Sequence, residues 1–192
     1  MPLSPRPRAL VILCLSFELL SGCASEGSIK PSESLDERTG MTIGSLEKPL
    51  ELVQSGQFAV TPEQHMSFAY LGPVEWDNMG TITHGLWVHL APASDWQFDD
   101  IKAPGTVVLA LDDRAMPLKL TQPPAPARGP YRPVASWGQT AYFELDLETL
   151  KRMASSHRIE LDFKAAGGTA VRFAAAPDAR DTLMRYVQAR GY

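Results

Sequence analysis

The chain is poor in the residues that would make its chemistry easy to read. It has two cysteines in 192 residues, Cys14 and Cys23. Both lie near the N-terminus, so the remaining sequence has no thiol for a disulfide and must draw its stability from a packed core. No stretch concentrates Lys and Arg as a phosphate-tracking surface requires, and the formal net charge is -4, so nucleic acid is not an expected partner. The longest apolar run, Ala9 to Leu20, is broken by Ser16 and Glu18 and is too short for an ordinary membrane span. Nowhere does the chain carry a Gly-x-Ser-x-Gly elbow, a His-Glu-x-x-His zinc motif or a Gly-x-x-x-x-Gly-Lys phosphate loop. The expectation is therefore no catalytic residue, no metal and no cofactor.

What is present begins at the N-terminus. Arg6 and Arg8 precede the apolar run, and the small pair Ser21-Gly22 follows Leu20, the layout of a secretory signal. Glu18 opposes membrane insertion least near the end of the run, where its carboxylate reaches the interface. Cys23 directly after the small pair supplies a thiol that can take a diacylglyceryl group. Leu20-Ser21-Gly22-Cys23 resembles the lipobox of bacterial lipoproteins. That resemblance implies a signal peptide over 1–22, lipidation of Cys23 and a membrane partner through the lipid. Removing 1–22 takes away Arg6, Arg8 and Glu18 and leaves the chain one unit more negative. The runs Asp36-Glu37-Arg38-Thr39-Gly40-Met41-Thr42 and Tyr70-Leu71-Gly72-Pro73-Val74-Glu75 resemble small envelope lipoproteins of Gram-negative bacteria, which implies an address and no activity. In the sorting rule of that group an aspartate after the lipidated cysteine retains the protein in the inner membrane. Ala24 stands there instead, which implies the periplasmic leaflet of the outer membrane, with the inner membrane and the cell surface as alternatives.

Residues 23–39 hold almost nothing apolar and cannot bury enough surface to offset ordering. They read as a flexible tether reaching at most roughly 50–55 Å, ahead of a single domain over 40–192. In that domain two-residue periodicity predominates. Met66, Phe68, Tyr70 and Val74 alternate with smaller or polar neighbours, and Ile82, His84, Leu86, Val88 and Leu90 do so after the turn signal Asp77-Asn78-Met79-Gly80. Thr106 to Leu111 is continuously apolar, and Asp112-Asp113 turns it toward Leu118 and Leu120. Ala141, Phe143 and Leu145, then Ile159, Leu161 and Phe163, each alternate with charged or polar residues. Between them Asp146 predicts the N-cap of a short helix burying Leu147, Leu150, Met153 and Ala154. Gly167-Gly168 leads into a strand at Ala170 to Phe173, and Asp178 predicts the cap of a C-terminal helix. The sum is a mainly β, α+β domain: an antiparallel β-sandwich or curved sheet of about seven to nine strands, with one short inter-strand helix and a C-terminal helix.

Candidate chemistry is sparse. Ser45-Leu46-Glu47-Lys48 matches Ser-x-x-Lys, but Gly40, Gly44 and the β pattern place it in a strand or turn, away from the helical turn that would set the amine beside the hydroxyl. His84 and His89 are five apart on one predicted strand and point to opposite faces. His65 and His84 could meet across paired strands, joined by Glu75 or Asp77. Trp76, Trp87, Trp96 and Trp137 sit beside acids or polar loops and suit either a core rim or a sugar-stacking surface. Thr121 to Val134 carries Pro123, Pro124, Pro126, Pro130 and Pro133 and reads as a stiff exposed loop. It serves as a connector or as a docking loop, with Tyr131, Arg132 and Trp137 as partner-binding candidates. The expectation is a non-catalytic module that binds or braces a periplasmic or outer-membrane protein. A glycan or small-ligand module comes next, and a hydrolase with an unrecognised site last.

Overall fold

A computed structural model describes residues 29–55, 67–93, 97–124 and 129–192. Within them run β1 (Pro31–Asp36), β2 (Met41–Leu46), β3 (Leu50–Gln54), β4 (Phe68–Asn78), β5 (Thr81–Ala91), β6 (Val107–Leu111), β7 (Arg114–Pro117), β8 (Leu120–Thr121), β9 (Gln139–Glu144), β10 (Ile159–Lys164) and β11 (Ala170–Ala175). Helix α1 (Leu147–Ser155) lies between β9 and β10, and α2 (Ala179–Ala189) follows β11. The strands form one strongly curled antiparallel sheet, a half-barrel, in the order β7-β6-β10-β11-β3-β4-β5-β9-β8, with β2 on β4 and β1 on β2. The predicted curved sheet and both helices are there. The eleven described strands outnumber the expected seven to nine: polar β1 and short β7 carry little periodic apolar signal, and the strand that returns beside β6 is Arg114–Pro117, while Leu120, expected there, pairs with β9 instead.

Local chemistry explains the connections. Met79 and Gly80, at φ 51° and 87°, make the kind of turn whose twist matches its flanking strands. Asp77 Oδ1 braces it by accepting the Gly80 N–H at 2.7 Å. Asp112, at φ 51°, turns β6 into β7, and its Oδ1 accepts the N–H groups of His157 and Arg158, each at 2.9 Å. Helix α1 starts where predicted: Asp146 Oδ1 accepts the Thr149 N–H at 2.6 Å, and Leu150, Met153 and Ala154 are buried. Asp178 does not cap α2 with its side chain. Its backbone is already helical, at φ -78° and ψ -8°, where a cap residue needs extended geometry to fold its carboxylate back.

On β10, Ile159, Leu161 and Phe163 are buried as their alternation predicts, each contributing roughly 1.5–3 kcal/mol. Phe163 meets Phe173 edge-on at 5.4 Å. The outward Asp162 and Glu160 pair with Arg172 of β11 at 2.7 and 3.4 Å.

Strand β4 is the spine. Along one edge it pairs first with β3, through Phe68–Leu71, and then with β2, through Val74–Asp77. Gly72 and Pro73 fall in the gap. Its other edge pairs along its whole length with β5. By register Leu71, Pro73 and Glu75 share a face with His84, Leu86 and Val88, while Gly72, Val74 and Trp76 share the opposite face with Gly85, Trp87 and His89. Both faces are buried here. The first meets α2 and the second meets the proline-rich loop.

Part of the expected tether is a strand. Pro31–Asp36 pairs with Met41–Leu46 over six residues. Its side chains stay largely exposed, so backbone ladder bonds rather than apolar burial offset its ordering. Among the described residues no helix is long and apolar enough to cross a membrane.

Candidate functional site

The helix face is closed by charge. Glu75, only 1% exposed, lies opposite Gly44 of β2 and His84 of β5. Arg190, at the end of α2, donates from Nε at 3.0 Å and from Nη2 to Glu75 Oε1. Its Nη1 reaches Glu33 on β1. The Tyr192 hydroxyl donates to Glu75 Oε2, and Tyr186 donates to the Gly44 carbonyl at 3.4 Å. His84 Nδ1 is 3.9 Å from Glu75 Oε2, and its ring meets Tyr192 edge-on at 5.4 Å.

Burial opposes ionisation of Glu75, but the hydrogen bonds from Arg190 and Tyr192 overcome it and hold its pKa below the usual carboxylate range. The same partnership raises that of Arg190. Burial lowers the pKa of His84 despite the attraction of Glu75, favouring the neutral imidazole. With both oxygens of Glu75 occupied, the cluster is a clamp between the last helix and the sheet.

His84 also lines an open groove of about 610 Å³ with Ile82, Met116, Leu118, Glu144 and Asp146. Asp146 is committed to its helix cap, and Glu144 faces Lys119 at 4.0 Å, both exposed.

The loop face is closed by neutral groups. Tyr131, expected on an exposed loop, is 6% exposed. Its hydroxyl accepts the Leu46 N–H and donates to the Pro73 carbonyl, both at 2.9 Å. It thus ties β2 to β4 beside the gap between β2 and β3. Burial pushes its pKa far up, which keeps it a donor. Gly72 makes room for it: a Cβ there would sit 2.4 Å from the Tyr131 ring. Trp87 packs on Tyr131 at 5.1 Å, and His89 stacks on Trp87. Four residues further along the loop, the Ala135 N–H donates to His89 Nε2 at 3.3 Å.

Held at those two points, the segment turns its other side chains outward. Arg132 and Val134 are exposed, and Trp137 is 73% exposed, with its Nε1 donating to the Pro92 carbonyl at 3.3 Å. Arg132 lines a second groove, of about 540 Å³, with Leu35, Arg38, Ile43 and Pro130. Leu35 is 63% exposed.

Of the partner-binding candidates, then, Arg132 and Trp137 are outward and Tyr131 is an internal anchor. Ser45 is buried on β2 beside Tyr131, with no helical turn to bring Lys48 to it. Glu75 and His84 meet as the strand reading allowed; His65 lies outside the described residues, as do Cys23 and Trp96. Among the described residues no group of three or more His, Cys, Asp or Glu could hold a metal ion. Trp76 and Trp87 are core residues. No local signal in the sequence joins Arg190 or Tyr192 to Glu75. Comparison of the chain with protein-family models, curated proteins and solved structures gives no match.

Proposed function

We propose that this chain is a lipid-anchored envelope protein whose β-rich domain binds or braces a periplasmic or outer-membrane protein, without catalysing a reaction. A signal over residues 1–22 and a diacylglyceryl group on Cys23 supply the anchor, at the outer membrane's periplasmic leaflet. About seven residues then separate it from β1, a reach of roughly 25 Å at full extension, so the domain works close to its membrane. The observation that carries the binding role is the anchored loop: Tyr131 and Ala135 are fixed from beneath, while Arg132, Val134 and Trp137 face outward and Arg132 lines the Leu35 groove. A rigid segment loses little entropy on docking, and Trp and Arg are the side chains that most often dominate interface energies.

Photocrosslinking in cells tests this reading, with the probe at Val134. One adduct, lost in Arg132→Ala/Trp137→Ala at unchanged melting temperature, is the expected result. Unchanged capture in that variant overturns the loop as a binding surface. Loss of binding to purified envelope glycan instead assigns Trp137 to sugar stacking. Cys23→Ser should leave the precursor unprocessed by the lipoprotein peptidase and unlabelled by radioactive fatty acid.

A further inference from the structure

Outside the ionic clamp, His89 is a buried titratable group that touches the loop directly. His89 is fully buried, its ring stacked on Trp87 with 5.7 Å between centroids and 18° between planes. The Ala135 N–H points at Nε2. A backbone N–H can only donate, so Nε2 carries the lone pair and the ring proton sits on Nδ1, 2.8 Å from Thr140 Oγ1. One neutral tautomer is built into the attachment of the loop. Gly138 lies against the same ring, where a Cβ would come within 2.4 Å of Cε1. The Gly138 N–H closes back on the Ala135 carbonyl at 3.1 Å. Residues 135–138 are thus one turn folded over the imidazole.

We propose that His89 is an acid-sensitive clasp for this loop: protonation at Nε2 turns an acceptor into a donor, expels the Ala135 N–H and releases the turn that presents Trp137. A proton from solvent takes the Nε2 lone pair, one N–H bond forms and one hydrogen bond is lost. The Tyr131 end stays attached. The inference rests on the reading of the loop as a binding surface for its purpose, although the release itself needs no partner.

The surroundings offer an imidazolium little compensation. Among the described residues the ring faces Tyr70 of β4, 6.0 Å between centroids. It also meets Thr140 and the Gln139 backbone of β9 and, behind Trp87, Tyr131. Burial keeps both phenols neutral, helped at Tyr70 by the charge of Glu51 across the β3–β4 ladder. Burial is also the largest influence on His89 and holds its pKa below the ordinary value, against the hydrogen bond to the Gln139 backbone. His84 differs, because Glu75 stands 3.9 Å away to receive its charge. The released loop frees His89 to titrate near 6.5. The closed loop therefore binds fewer protons than the open one, and closure weakens as pH falls below about 6.5 and through the lowered value.

The test is NMR on the detergent-solubilised full chain between pH 7.5 and 5, following the His89 ring nitrogens together with amide exchange corrected for its intrinsic pH dependence. Protection of the Ala135 and Gly138 amides should fall at least tenfold as the ring takes up its proton, with Leu86 and Val88 unchanged. In His89→Gln, whose amide oxygen accepts without titrating, loop protection should not respond to pH; in His84→Gln it should respond as in wild type. Continued protection of Ala135 after His89 is protonated, a ring that stays neutral to pH 5, or an unchanged response in His89→Gln overturns the clasp. If His89→Gln does not fold, the wild-type titration decides alone, since ring and Ala135 amide must share one midpoint. Unaltered partner capture by Trp137 variants would remove the binding reading and leave the clasp. Persistent protection would remove the clasp and leave the binding reading.

Discussion

The two faces of the β4–β5 ladder are buried by opposite means. On one, Glu75, Arg190, Tyr192 and His84 close the contact with α2 through full and partial charges. On the other, Tyr131, Trp87 and His89 close the contact with the loop through aromatic packing and hydrogen bonds between neutral groups. A buried ion pair is costly to form and far more costly to break by halves. A neutral anchor costs less to bury and can be undone at one atom. The helix face is therefore a permanent closure, and the loop face is an adjustable one.

The sharpest way to break this contrast is Arg190→Ala, which strands a buried carboxylate and should destabilise by about 3–5 kcal/mol in urea unfolding. Arg190→Met combined with Glu75→Leu should recover most of that loss, because neither charge is then left unpaired. Next, Tyr131→Phe keeps the ring over Gly72 but removes the hydroxyl, leaving the Leu46 N–H without its acceptor, and should cost about 1–3 kcal/mol. The faces should separate again in their pH dependence. Both histidines have lowered pKa values in the fold, so the unfolded chain binds more protons and stability falls as pH drops below about 6.5. His89→Gln should flatten that decline more than His84→Gln, since Glu75 compensates a charge on His84. The carboxylate of Glu75, its pKa depressed in the fold, withdraws its contribution only at lower pH, below about 4.3 and through its own lowered value. The smallest effect belongs to Trp137→Ala, which touches neither closure and should change stability by under about 0.5 kcal/mol, while reducing partner capture.

Features set by neighbours in the chain were legible in the sequence. The Asp77–Gly80 turn, the Asp146 cap, the alternation of Ile159, Leu161 and Phe163 and the stripe of α1 each depend on a few consecutive residues. Strand β1 was not, because Ser32, Glu33 and Ser34 hold their place by backbone pairing and show no apolar period. Tyr131 read as exposed because its prolines exclude a central strand; its burial is decided 59 residues away by the missing side chain of Gly72. The partnership of Glu75 with Arg190 spans 115 positions, and no spacing rule reaches so far. In the candidate site, the residue types on the loop were visible and their orientation was not, since which side chains turn outward depends on where Ala135 meets His89.

The clamp also orders events in time. Arg190 joins residues 115 and 157 positions away, so α2 can shut its side of the sheet only after the chain has been made through Arg190, and contacts of such separation form slowly. Until then Glu75 faces water as a free carboxylate in the middle of an apolar strand. A charge at that place hinders strand-to-strand sticking between unfinished copies. The group that locks the finished fold is, earlier in its life, the one that keeps the nascent sheet apart from its neighbours.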